Sequence, residues 1–478
     1  MLFNSIEFAI FLPTVFLMYW FLLNKRINTQ NIFLIIVSYI FYGWWDWRFL
    51  TLIFISSATD YILGQKISKS NTPRIKKLLL SLSIAVNLGM LVYFKYANFF
   101  IHTFISSFES IGIDLSLSTI NIILPVGISF YTFQTLSYTI DVYKGKIKAT
   151  DNIYSFFAFV SFFPQLVAGP IERASNLLPQ FNNKRHLTYH QGTYALKQIL
   201  NGLFKKIVIA DNCAIYVNDI FANYAEYSGS TLFFGGVLFA FQIYGDFSGY
   251  SDIAIGTARL FGFNLMTNFS YPYFSRNIAE FWKRWHISLS TWFRDYLYIP
   301  IGGNRVPRIL QIRNILIVFI VSGFWHGAKF TFIFWGLIHA LIYLPQVLLK
   351  RNKNITKHAA ENSILPSLKE VLQILKTFAV VVVGWIFFRA DSLSDAFNIL
   401  IKIFSKTFFT IPEILPKKFI ILLVIFIFIE WIQRKRSFAL DIDSRLIPKY
   451  VQVIVFYIVI YLTFLFETEQ QDFIYFQF

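Results

Sequence analysis

Residues 312–349 read IRNILIVFIVSGFWHGAKFTFIFWGLIHALIYLPQVLL. Two long apolar stretches meet at a polar word, Trp325-His326-Gly327-Ala328-Lys329. A histidine inside or at the mouth of a membrane span is costly to bury, so it calls for a functional explanation. Imidazole also exchanges protons near neutral pH, which suits a general base. One stretch thus raises two expectations, a helical membrane protein and chemistry at a junction between two of its helices.

The rest of the chain supports the first expectation. Of 478 residues, 56% are hydrophobic and 14% charged, where a soluble protein would carry about 25% charged residues. The mean hydropathy is +0.55. Apolar runs of roughly 17–25 residues recur from Ile6 to Phe466, long enough to cross a hydrocarbon core of about 30 Å. The runs are continuous and do not alternate, which excludes a transmembrane barrel.

A formal net charge of +17 suggests nucleic acid until its location is read. Lys and Arg gather in short connectors: Lys25-Arg26, Lys66–Lys77, Lys144–Lys148, Lys184–Lys206, Lys283–Arg308, Lys350–Lys357 and Arg434–Lys449. That is the positive-inside bias, with some attraction to anionic lipid, and no nucleic-acid partner is expected. The single cysteine, Cys213, rules out an intrachain disulfide framework and reads as a small core residue. The first apolar run has no basic lead-in and no small-residue cleavage signal, so it reads as a retained helix.

Candidate spans fall at 6–23, 31–45, 48–64, 78–94, 121–140, 153–168, 195–211, 230–245, 249–263, 312–324, 330–349, 371–388, 418–433 and 450–466. Span length predicts about 11–13 true crossings, the remainder being re-entrant or buried pieces. Basic loops after the first and third spans place the amino terminus on the non-cytoplasmic side, and the basic loop Arg434–Lys449 before the last span with the acidic tail Glu467–Asp472 after it places the carboxyl terminus there too. The expected architecture is all-α: one membrane domain over residues 1–478, with a motif-bearing core over about 121–349 and further helices over about 371–466.

Polar words interrupt these spans. Pro125 and Gly127 break a run whose Ser129, Tyr131, Thr132 and Gln134 bring polar groups to membrane depth. Such a segment lines a cavity, or its hydroxyls bond between helices. Gly169-Pro170 ends another span and leaves Glu172 and Arg173 at the interface, as solvated charges or as an anion site. In the word Gln242–Asp252, Asp246 and Ser248 lie between two apolar runs. An intramembrane Asp246 needs a partner such as a histidine or Arg259; in a loop it needs none. Within 277–300, Trp282, Trp285, Leu289, Trp292 and Tyr296 recur at helical spacing beside Lys283, Arg284 and Arg294, the pattern of an interfacial helix. His286 there reads, taken alone, as a structural or headgroup-contacting residue. His339 lies 13 residues beyond His326, so any pairing depends on the fold. His102, His186, His190 and His358 sit in polar surroundings and are expected to titrate in water. No HExxH spacing supports zinc, and there is no Gly-x-Ser-x-Gly elbow.

Taken together, MLFNSIEF, PVGISFYTFQTLSYTIDVY, FFPQLVAGPIER, YGDFSGYSDIAIG, EFWKRWHISLSTWFRDYLYIPIGGNR and SGFWHGA resemble the membrane-bound O-acyltransferase (MBOAT) superfamily. Within it the likeness is to the bacterial alginate, polysaccharide and peptidoglycan O-acetyltransferase membrane-subunit family, over nearly the whole chain. The resemblance implies a ring of tilted helices around a central tunnel. It also implies that His326 and His286 are the two functional histidines, and that the chain sits in the bacterial inner membrane. It implies an acetyl group taken from cytosolic acetyl-CoA, a substrate rather than a bound cofactor. The acceptor implied is an extracytoplasmic polysaccharide, often reached through a partner with a catalytic serine.

On this reading neutral His326 removes the proton of the attacking hydroxyl, and His286 orients it or steadies the oxyanion. Trp325, Ser129, Gln134, Asp246, Ser248 and His339 are candidates for the substrate passage. Lys283, Arg284 and Arg305 are candidates for the donor phosphates, with solvated topogenic charge as the competing explanation. D-alanyl transfer to teichoic acid is the nearest alternative; a transporter or channel for a glycan or lipid, and a non-catalytic scaffold, are the alternatives outside this enzyme class.

Overall fold

The computed structural model describes residues 1–23, 25–115, 118–120, 122–167, 169–349, 358–442, 447–469 and 471–476. The basic cluster Lys350–Lys357 lies outside them. Every regular element among the described residues is helical. Among the described residues, four helices are long and apolar enough to cross a membrane, Pro73–Glu109, Arg308–His326, Phe330–Leu348 and Leu368–Arg389, and shorter apolar helices include Ile6–Leu22, Ile153–Leu166 and Lys449–Leu465. Other apolar runs are cut by local geometry. The 121–140 run starts its helix only at Ile128, after Gly127 at φ 74°. The 195–211 run passes at Phe204–Ala210 into a wider π-helical turn.

The chain divides into two compact units. The first comprises Met1–Ala195 with Thr257–Met266, and the second Leu196–Gly256 with Thr267–Phe478.

In the first unit, Leu50–Lys69, Pro73–Leu91 and Ile128–Tyr143 are joined by a buried polar network. Ser83 Oγ donates to Asp60 Oδ1 at 2.6 Å, Asn87 Nδ2 to Asp60 Oδ2 at 2.8 Å, Ser56 Oγ to Asn87 Oδ1 at 2.7 Å, and Thr135 Oγ1 to the same Asn87 oxygen at 3.2 Å. Such bonds hold helices together where water cannot compete. Glu172 is fully buried, accepting from Asn176 Nδ2 at 2.8 Å and from the Met266 N–H. The expectation that it is either solvated or an anion site is corrected, because two neutral donors already satisfy it.

In the second unit the sequence reading needs two corrections. The runs 230–245 and 249–263 are not separate spans; one helix, Gly229–Leu260, carries Asp246, Ser248 and Asp252. Its glycines serve close packing rather than a turn. A Cβ on Gly249 would stand 2.7 Å from the Gly202 carbonyl oxygen, and one on Gly202 2.4 Å from that of Gly249. The 277–300 stretch is not one interfacial helix. It breaks into Ile278–Arg284 and Ile287–Phe293 at His286, whose φ is 43°. Trp285, Leu289 and Trp292 point into the core.

Arg308–His326 and Phe330–Leu348 form a tight hairpin around Gly327–Lys329. Its closeness depends on Gly323 and Gly336. A Cβ on the first would meet the Phe332 carbonyl oxygen at 2.2 Å, and one on the second that of Phe319 at 2.3 Å. Small residues let membrane helices approach in this way. Leu368–Arg389, which opens on a Ser367/Glu370 capping box, packs its Gly384 against His339.

Candidate functional site

Two chain breaks deliver two histidines to one place in the second unit. His326 is the last residue of Arg308–His326, and the extended Gly327 turns the chain away. No larger residue fits there, since a Cβ would stand 2.2 Å from the Phe332 ring. His286 occupies the left-handed conformation between two short helices. A non-glycine residue at such a φ carries about 1–3 kcal/mol of strain and persists only where its surroundings enforce it. Here the Ile287 N–H donates to the Asn268 carbonyl at 2.9 Å, Ser288 Oγ to Asn268 Oδ1 at 2.6 Å, and Asn268 Nδ2 to Ser251 Oγ at 2.9 Å. This strap ties the break to the long helix.

The two imidazole centres are 6.3 Å apart, and both side chains are buried. Around His326 stand Trp325 at 5.0 Å, Trp335 at 5.1 Å, Phe388 at 5.3 Å and Tyr475 at 5.6 Å between ring centres. Phe247 meets His286 edge-on at 4.6 Å. His286 lies outside the membrane-length helices, and burial alone pushes its pKa down to about 3. It is therefore neutral at working pH and can donate from one nitrogen while accepting at the other. An imidazole pair in an aromatic box can exchange a proton with a bound hydroxyl.

The other sequence candidates separate. Trp325 belongs to the box, and its ring centre is 5.9 Å from that of His286. His339 sits beyond Trp335, 5.0 Å from that indole and 5.1 Å from Trp282. Ser248 is buried in the long helix. Asp246 is partnered by neither a histidine nor Arg259; Lys206 Nζ approaches its Oδ1 at 2.9 Å. Arg259 instead stacks on Tyr194 at 4.7 Å. Ser129 and Gln134 belong to the first unit, where the Gln134 amide donates to the Phe159 carbonyl at 2.7 Å and accepts from Gln165.

Of the phosphate candidates, Lys283 lines a crevice. That crevice, about 560 Å³, is also lined by Ser290, Thr291, Arg294, Asn304 and Ser322. Ser322 lies one helical turn before His326, so the crevice wall runs toward the histidine end of that helix. Arg284 is corrected: it is engaged by Glu280 at 2.9 Å and by His358 Nδ1 at 2.9 Å, and donates to the Ser270 carbonyl. Arg305 is exposed and lines neither this crevice nor a second one of about 880 Å³ beside Arg276 and Lys369. His358, expected in water, is half-buried. Burial first and the Arg284 charge second lower its pKa from the ordinary 6.5.

Reasoning from sequence missed Tyr475, Phe388, Lys205 and Lys206. Lys205 and Lys206 read as topogenic charge, yet both are buried. Lys205 Nζ lies 3.2 Å from Asp252 Oδ2 and 3.5 Å from Glu430 Oε1, and Lys206 Nζ 2.7 Å from Asp211 Oδ1. Two adjacent lysines inside the 195–211 apolar run were the available signal, since buried ammonium groups require carboxylates. No group of three or more His, Cys, Asp or Glu side chains among the described residues is placed to hold a metal ion.

All-helical regular structure among the described residues, membrane-length apolar helices and a buried histidine pair at a helix junction fit an integral membrane acyltransferase. The chain belongs to the membrane-bound O-acyltransferase family, MBOAT, whose sequence profile matches residues 32–360. It is 40% identical over 406 residues to the probable alginate O-acetylase of Pseudomonas aeruginosa, covering 85% of this chain and 75% of that protein. It is 36% identical over 429 residues to the peptidoglycan O-acetyltransferase of Helicobacter pylori, covering 84% and 79%. The teichoic acid D-alanyltransferase of Bacillus subtilis is more distant, 29% identical over 237 residues, covering 46% and 58%.

Proposed function

We propose that this acyltransferase takes an acetyl group from acetyl-CoA on the cytoplasmic side of the bacterial inner membrane, which it crosses several times. The group goes to a hydroxyl of an extracytoplasmic polysaccharide, with an extracytoplasmic serine-dependent protein as the partner that completes delivery. The observation that carries this reading is the convergence of His286 and His326, 6.3 Å apart between ring centres, in one buried aromatic box. The relatives named for alginate and peptidoglycan O-acetylation support the acetyl donor and the glycan acceptor.

In the proposed step, His326 accepts the proton of the attacking hydroxyl as that oxygen bonds to the thioester carbonyl carbon. The carbon–sulfur bond then breaks, and the proton passes to the departing thiolate to give free coenzyme A. Neutral His286 offers a hydrogen bond to the carbonyl oxygen as charge develops there, where low surrounding polarity strengthens it. Lys283 meets a donor phosphate at the crevice, and the apolar lining of that crevice, including Trp282 and Phe319, accommodates the thioester arm.

The test supplies the purified protein, in lipid vesicles, with acetyl-CoA labelled in the acetyl group and a soluble hydroxylated oligosaccharide. Free coenzyme A and labelled ester should appear in equal amounts. Folded protein that yields neither acetylated acceptor nor hydrolytic release of coenzyme A would remove the proposal.

A further inference from the structure

The pair Lys206–Asp246 is buried, yet the histidine chemistry makes no use of it. Lys206 Nζ sits 2.7 Å from Asp211 Oδ1 and 2.9 Å from Asp246 Oδ1, and it donates to the carbonyl of Gln471 at 2.9 Å. The other oxygen of Asp246 accepts the backbone N–H of Ile474 at 2.6 Å. One ion pair therefore grips the segment 471–476 at two backbone points, three residues apart. The segment holds only the short turn Ile474–Phe476 as regular structure, so it has no long helix of its own to fix its position.

Gripped there, the segment lays two aromatic rings against the site. Phe473 packs on Tyr250 at 4.4 Å and on Phe247 at 6.0 Å between ring centres. Tyr475 packs on Phe247 at 4.6 Å, with its centre 5.6 Å from that of His326 and 6.3 Å from that of His286. Apolar side chains could fill the same volume, and exchanging a buried ion pair for them is often neutral or stabilising. Bonds to two backbone groups of the segment, however, require a polar donor and acceptor at defined positions.

We infer that Lys206 and Asp246 are positioning residues. They dock the segment 471–476 as one wall of the histidine site, and thereby hold Phe473 and Tyr475 where the substrate must pass. The role assigned to that wall rests on the acyl-transfer reading; the docking itself does not.

Asp246→Ala is the informative variant, because Lys206 keeps Asp211 and no buried charge is stranded, while Ile474 loses its acceptor. Asp246→Asn retains an oxygen for that N–H and serves as the rescue. The first measurement is the rate at which a polar maleimide modifies Tyr475→Cys in a Cys213→Ser background. Modification should be slow with Asp246 in place and slow in Asp246→Asn. In Asp246→Ala it should be about tenfold or more faster, as a local opening equilibrium demands. Equal rates in all three proteins overturn the docking.

The second measurement is acetyl transfer by Asp246→Ala, by a chain ending after Glu469, and by their combination. Each should lose about tenfold or more, and the combination should be no worse than the truncation alone, because both act through one segment. Multiplied losses, or a truncated chain with full activity, contradict the positioning role. Labelling reads docking without reference to catalysis, so a chain that fails to transfer acetyl but shows the labelling contrast refutes only the acyl-transfer reading. A chain that transfers acetyl with no contrast refutes only the docking.

Discussion

Gly323→Ala probes how tightly the helical hairpin sets the position of His326, three residues further along the same helix. The added Cβ would stand 2.2 Å from the Phe332 carbonyl oxygen, whereas non-bonded heavy atoms settle at about 3.5–4.0 Å. The obstacle is backbone, so no side-chain rotation relieves it, and the two helices must part by roughly 1 Å or more. Overpacking of this kind costs about 1–3 kcal/mol, tolerable in a folded membrane protein. The catalytic cost is larger, since misplacing a reacting group by about 1 Å loses about a hundredfold in rate. Gly89→Ala is the control: its Cβ meets no atom within 4 Å, and alanine favours a helix by about 1 kcal/mol over glycine. The assay pairs thermal unfolding in detergent with coenzyme A release from acetyl-CoA in vesicles. The reasoning fails if Gly323→Ala retains its rate within about threefold of the parent.

Three further outcomes are expected. Lys283→Ala should raise KM for acetyl-CoA about tenfold while kcat stays within about twofold, the pattern of lost uniform binding; an unmoved KM removes this lysine from the donor site. Lys205→Met leaves Asp252 and Glu430 buried without their cation and should lower stability by about 3–5 kcal/mol, with most of the loss recovered by adding Asp252→Asn and Glu430→Gln. A melting temperature indifferent to Lys205→Met contradicts that account. His358 accepts from Arg284 and is held below its ordinary pKa of 6.5, so the unfolded chain binds its proton more readily than the folded one. Its contribution is complete above pH 6.5 and is lost as pH falls below that value. Melting temperatures measured from about pH 7.5 down to about 5 should fall less steeply in His358→Gln; identical slopes exclude the effect.

Legibility in the sequence followed the range of the interactions involved. The helix break at Gly327 and the histidine beside it are local events, and the polar word 325–329 announced them. The membrane class followed from composition, which needs no knowledge of contacts. Position-specific reading failed where a distant partner decided the outcome. The polar word Gln242–Asp252 read as a junction between two spans, yet one helix runs through it, and the backbone of 202–210 presses so closely on that helix that Gly245 and Gly249 must be small. Trp285, Leu289 and Trp292 have interfacial spacing, but the left-handed His286 turns that face inward, and no periodicity contains a single reversed φ. Asp246 needed a partner, as burial of a carboxylate dictates. That the partner is Lys206 and that the pair grips residues 471–476 are facts of tertiary packing between segments far apart in the chain.

The central claim is that His326 performs proton transfer inside a box that His286 shares. The direct measurement is coenzyme A release and ester formation by His326→Gln, a variant of similar volume that offers hydrogen bonds but takes up no proton near neutral pH. The account predicts a fall of about a hundredfold or more in both products, with an unchanged melting temperature and unchanged KM for acetyl-CoA. Ester formation at the parent rate by folded His326→Gln protein would contradict it.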